Sequence, residues 1–383
     1  MSVTTPRGFR ASGVTAGLKA SGRPDVALVV NDGPDRHAAA VFTSNRVEAA
    51  PVTWSRQVVA DGEVAAVVLN SGGANACTGA PGFQDTHTTA EHVAGLLGTS
   101  AGDVVVCSTG LIGERLPMHL LLPGVDAAAA ALTADGGPSA AEAIMTTDTL
   151  PKVAAAHGDG WSVGGMAKGA GMLAPALATM LVVVTTDAVV DPSVLDGVLR
   201  DATAVTFDRV DSDGCMSTND TVVLLVSGAS GVEVAADDLR AAVTDVCADL
   251  ARQLVADAEG AHHDIAVEVV NAASLDDALE AARSVARNNL FKCAVFGNDP
   301  NWGRVLAAVG TTGAAFDPST LDVSMNGVQV CRAGGVGEDR TLVDLSAREV
   351  HVVIDLHAGD TSATVWTNDL THDYVHENSA YST

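Results

Sequence analysis

Hydrophobic positions along this chain follow two rhythms. Continuous aliphatic runs at Val26–Val30, Val64–Leu69 and Val104–Cys107 predict buried strands in the first part. Each runs into a small polar cluster: Asn31-Asp32-Gly33, Asn70-Ser71-Gly72-Gly73 and Ser108-Thr109-Gly110. Strand ends of this kind are where open sheets place their chemistry. Leu181–Val184 opens the second part as another strand, and 222–226, 265–270, 352–356 and 363–367 continue the series. Between them the period changes to that of a helix. Val194, Leu195, Val198, Leu199 and Ala202 share one face, with Asp191 as cap and Pro192 in the first turn. Leu239, Val243, Val246, Leu250 and Leu254 mark a longer helix, and 275–286 predicts a third. The pattern has no repeat and no low-complexity linker. It predicts an α/β or α+β fold with helices packed on sheets.

Composition narrows the function. The 383 residues, 47% hydrophobic and 18% charged, suit one large or two ordinary globular domains. A formal net charge of −26 repels phosphate backbones, so nucleic acid is not an expected partner. An anionic small molecule then needs a local cation. The six cysteines form no CxxC pair and no zinc-spaced cluster, so no metal is expected. Their low density fits a reducing compartment. No run is long enough to span a bilayer, and the first residues carry no apolar leader, which makes a cytoplasmic protein without membrane contact the expectation.

The most informative stretch is Gly164-Gly165-Met166-Ala167-Lys168-Gly169-Ala170-Gly171, read as a Gly-rich loop with one lysine, followed through Pro175 by Ala178-Thr179-Met180. A hydroxyl directly before a buried strand, preceded by a small residue, is what an internal N-to-O acyl shift needs. The freed α-amine of Thr179, with an ordinary pKa near ~8, then serves as base for its own hydroxyl. An ordinary strand threonine after a flexible loop satisfies the same pattern. A P-loop does not, because the GxxxxGK[ST] spacing is absent. Thr109-Gly110 can aim a hydroxyl and an N–H at one point, as an oxyanion hole requires, or simply end a strand. Thr146, Thr147 and Thr149 can bind a polar substrate or cap a helix. Glu259, just past the long helix, is electrostatically disfavoured there, which hints at another purpose such as pairing with an ammonium.

Several blocks together resemble the ornithine acetyltransferases of arginine biosynthesis. They are 166–187, Asn70 to Gly79, Ser217 to Thr221, Phe296 to Arg304 and Glu377 to Tyr381, in the family's order along nearly the whole chain. The resemblance implies a two-domain α/β fold with sheets sandwiched by helices. It also implies a self-cut at Ala178–Thr179, which gives an α chain (1–178) and a β chain (179–383) that assemble as a heterotetramer. Thr179 matches the nucleophile, and Thr109 and Gly110 match the oxyanion hole. Thr146, Lys168, Glu259, Asn378 and Thr383 match substrate-contacting positions. The implied reaction moves acetyl from N-acetylornithine to glutamate through an acetyl-threonine, without ATP, metal or bound cofactor; acetyl-CoA as a second donor is left open. Departures from the family pattern, such as Gly73 before Ala74 and Ala176-Leu177-Ala178 at the cut, touch none of the matched catalytic positions. A self-processed aminopeptidase or amidase, and a non-enzymatic binding protein, are the competing readings.

Overall fold

The computed structural model describes residues 1–174 and 180–380 and is a mixed α/β fold. It divides into two compact units. The first is built from Met1–Asp208 and Cys215–Asp257, the second from Arg209–Gly214 and 258–380.

Unit 1 contains two mixed sheets. The first has the order β1 (Phe9–Val14), β2 (Val26–Asn31), β4 (Ala66–Ser71), β5 (Val104–Thr109). Its pairs are antiparallel except β4 with β5. The second has the order β3 (Ala38–Phe42), β9 (Thr221–Val226), β8 (Leu181–Thr186), β7 (Ser162–Lys168), β6 (Lys152–His157), and only β8 and β9 run parallel. Strand side chains alternate between faces, and here both faces are apolar. Val67, Leu69, Val105 and Cys107 of the first sheet share one core with Met166, Leu181, Val183, Val223 and Leu225 of the second. Their neighbours Val68, Val104 and Val106 turn to α2 (Gly79–Leu97) and α3 (Met118–Ala130). Helices α1 (Ala50–Val58) and α4 (Gly137–Ala143) close the inter-sheet core. On the far side of the second sheet, α6 (Ala236–Ala256) lies on β6 and β7, and α5 (Leu195–Val205) packs on α6 and β3.

Unit 2 is a six-stranded sheet. Its order is β13 (Gly335–Val336), β12 (Val328–Arg332), β11 (Asp322–Met325), β14 (Glu349–Asp355), β10 (Asp264–Ala272), β15 (Thr361–Asn368). Helices α7 (Leu275–Ala286), α8 (Asn289–Phe296) and α9 (Trp302–Val309) share its core. The chain continues into α10 (His372–Ala380).

The aliphatic runs and the three periodic helices of the sequence are all present. Asp191 caps a short 3-10 turn, accepting from the Ser193 amide, and that turn leads into α5. Two expectations change. The strands run on into their polar clusters, because Ser71 still pairs with Thr109. The first half of the Gly-rich run is also strand, β7, and irregular chain begins only at Gly169. Its glycines serve close approach. A Cβ on Gly164 would lie 2.1 Å from the Ser2 carbonyl oxygen, and one on Gly165 would lie 2.9 Å from Leu250 and Val246 of α6. Among the described residues no helix is long and apolar enough to cross a membrane.

Candidate active site

Thr109 ends β5 and Lys168 ends β7. Counting by twos from Cys107 and from Met166 puts both side chains into the layer between the two sheets. They meet there: Lys168 Nζ is 3.3 Å from Thr109 Oγ1, with both residues buried. The turn after Thr109 is held by the Gly-rich block that follows β4. Gly72 and Gly73 amides donate to the Thr109 carbonyl at 2.9 and 3.0 Å, and the Ala74 amide donates to the Leu111 carbonyl at 2.9 Å. Gly110 has φ of 134°, and a Cβ on it would stand 2.5 Å from the Gly73 nitrogen. No other residue fits this position without moving backbone. Asn219 ties the same loops together, donating to the Ala74 carbonyl at 2.6 Å and to the Ser108 carbonyl at 2.8 Å.

Beside this pair lies a buried charge network that sequence reasoning missed. Asp148 accepts at Oδ1 from Lys152 Nζ and from the Gly169 amide, both at 2.6 Å. At Oδ2 it accepts from the Thr146 amide at 2.9 Å. The Thr146 hydroxyl is 3.5 Å from the same oxygen. Lys152 also donates to Asp257 at 2.6 Å, and Asp257 receives the Thr149 amide at 3.0 Å together with the Thr149 hydroxyl. Burial by itself would raise the Asp148 carboxyl. The charges of Lys168 and Lys152, with the bonds from Lys152 and Gly169, outweigh it and hold the group down at about 2. Lys19 sits in the same field. Its Nζ donates to the Pro24 and Met145 carbonyls at 2.7 and 2.6 Å, which anchors the residue before Thr146. Burial and the adjacent Arg23 pull Lys19 down to about 8, against Asp25. The sequence signal for the network was Asp148 and Lys152 at i,i+4. On its own that spacing describes any surface ion pair.

Asp220 was likewise given no role beyond its place in a family block. It is fully buried, and Oδ1 accepts the Met180 amide at 3.0 Å. Among the described residues Oδ2 has no hydrogen-bond partner. Burial drives this carboxyl well above the usual range, against the Met180 amide, Ser217 and Lys168.

The remaining expected residues divide by position. Thr146 and Lys168 join the network above. In unit 2, Glu259 is buried rather than solvated, and Asn378 of α10 donates to its Oε2 at 2.9 Å and to the Tyr374 carbonyl at 3.0 Å. Ala178, Thr179 and Thr383 lie outside the described residues. Among the described residues no group of three or more His, Cys, Asp or Glu side chains is arranged to hold a metal ion.

A model of the ArgJ family matches residues 10–383. The chain belongs to that family. Across its whole length it is 68% identical, over 382 residues, to the arginine biosynthesis bifunctional protein ArgJ of Streptomyces coelicolor, all of which is covered. It is 66% identical over 383 residues to the protein of the same name from Thermobifida fusca, again with both chains fully covered. Among solved structures, the ornithine acetyltransferase of Mycobacterium tuberculosis complexed with ornithine is 58% identical. That match covers 47% of this chain and 96% of the other, at a TM-score of 0.45.

Proposed function

We propose that the chain cuts itself between Ala178 and Thr179 and that Thr179 then carries the acetyl group. The protein is an acyltransferase of arginine biosynthesis, the family's activity, exchanging acetyl between ornithine and glutamate. In the donor half-reaction the Thr179 hydroxyl attacks the acetyl carbonyl of N-acetylornithine and its α-amine takes the proton. The Thr109 hydroxyl and the Gly110 N–H hold the oxyanion, each such donor contributing up to about 4 kcal/mol. Ornithine leaves, and the glutamate amine attacks the acetyl ester. One amide is broken and an equivalent one made, so no energy source is consumed. The relatives are named bifunctional, and we extend the second activity, acetylation of glutamate from acetyl-CoA, to this chain.

The observation that carries the reading is the buried Thr109–Lys168 pair, beside a turn that only glycine can occupy at position 110. Thr146 donates to Asp148, on which the charge of Lys168 also acts, and a lysine there suits a substrate carboxylate in an otherwise acidic protein. Glu259, with Asn378 on one oxygen, suits the δ-ammonium of ornithine, and Thr383 is assigned to substrate by the family resemblance alone. The α and β chains (1–178 and 179–383) remain associated on this reading, because β3, β6 and β7 precede the cut while β8 and β9 follow it within one sheet. Their assembly as a heterotetramer belongs to the same proposal.

N-terminal sequencing of the active enzyme should find a chain beginning Thr-Met-Leu. Acetyl transfer from N-acetylornithine should also require glutamate. Only an intact chain in fully active enzyme, or release of acetate at the same rate without glutamate, would overturn the proposal.

A further inference from the structure

The contact between Lys168 and Thr109 has a direction. An ammonium carries donors and no acceptor. With Nζ 3.3 Å from Oγ1, the threonine oxygen must accept. The Thr109 proton therefore cannot point at the lysine and must be given elsewhere. A hydroxyl whose oxygen already accepts from a cation is the stronger donor, because bonds in a chain polarise one another. Both residues are buried, where such polarisation is screened least. The site also holds a countercharge for the lysine. Asp148 lies in the field of Lys168, and its oxygens are fixed by Lys152, Gly169 and Thr146. Lys152, the other buried lysine of the network, is engaged by both Asp148 and Asp257.

We propose that Lys168 is a positioning residue for acetyl transfer: by donating to Thr109 Oγ1 it commits the Thr109 proton to the oxyanion formed at the acetyl carbonyl. This rests on the reading of Thr109 as an oxyanion donor and gives Lys168 a task besides meeting a substrate carboxylate, since an ammonium has three N–H groups. The step balances. The Thr179 oxygen-to-carbon bond forms, and the carbonyl pair moves onto its oxygen. The Thr109 O–H binds that oxygen without transferring its proton. The pair then returns as the carbon–nitrogen bond breaks, and the leaving ornithine amine takes the proton that Thr179 gave up.

A double-mutant cycle separates the two tasks. Lys168→Met, Thr109→Ala and the double variant are assayed for kcat and KM with N-acetylornithine and saturating glutamate. Rates are taken per cut chain, as counted by intact mass. Lys168→Met is expected to lower kcat about 30–100-fold, short of the roughly 100–1000-fold lost when an oxyanion donor itself is removed, but less than about 3-fold once Thr109 is alanine. Lys168→Arg, which keeps a charged donor, should recover most of the rate. If Lys168→Met is not cut, Lys168→Gln takes its place in the cycle. Equal losses of kcat in both backgrounds, or a loss confined to KM, would overturn the inference and leave the lysine a substrate contact. A Thr109→Ala enzyme with normal kcat would instead remove the oxyanion reading itself.

Discussion

Replacing Asp148 with asparagine removes one buried charge and almost no volume, so its effect can be worked from the contacts. Held at about 2 instead of 3.8, the carboxyl contributes roughly 2 kcal/mol of stability at neutral pH. Asparagine can still accept from Lys152 and Gly169 at one atom. Its other atom becomes an N–H2 group facing the Thr146 amide, where an acceptor stood at 2.9 Å. A donor left unpaired there costs on the order of 1 kcal/mol more. A total near ~3 kcal/mol lowers the melting temperature by about 6–12 °C in a unit of this size. The sign with pH follows from the depressed native value. The charge contribution is complete above the unfolded pKa and is lost as pH falls toward the folded one. About half of it should be gone at pH 3. Thermal melts of the parent and Asp148→Asn, both on an uncut Thr179→Ala background, at pH 7, 5 and 3 test this. The gap should hold from pH 7 to 5 and narrow at pH 3. A gap below about 1 kcal/mol at pH 7, or one that does not change with pH, would refute the reasoning that Asp148 works as a charge.

Gly110→Ala should abolish acetyl transfer, because the added Cβ would stand 2.5 Å from the Gly73 nitrogen at a φ of 134°; a variant with parent kcat and melting temperature would show that the turn is not tight. Asp220→Asn keeps an acceptor for the Met180 amide and removes a carboxyl whose native pKa is raised. Above the unfolded pKa the buried acid favours the protonated native form, so its contribution declines as pH rises toward the folded value. The asparagine variant should therefore lose less stability than the parent between pH 5 and 8, which melts over that range will read.

Much of the fold was legible in the sequence because strands buried on both faces read as unbroken aliphatic runs and amphipathic helices repeat every 3.6 residues. The run from Val104 and the stripe from Leu239 to Leu254 are cases in point. The Ala- and Gly-rich elements were not legible. In α4 or β7 small side chains carry no period, and packing alone decides that Ser162–Lys168 is strand. The family was likewise present in the order of motifs along the chain. What only the tertiary structure decided is which charges are buried and whom they face. Lys168 reaches Thr109 from 59 positions away, because the two strands end in facing sheets with matching side-chain phase. Asp148 and Lys152, an unremarkable i,i+4 pair in the linear chain, become a buried network once Asp257 closes on them. Periodicity reports which face of an element meets the core. The pairing of polar groups inside that core depends on contacts between distant segments, which no local pattern encodes.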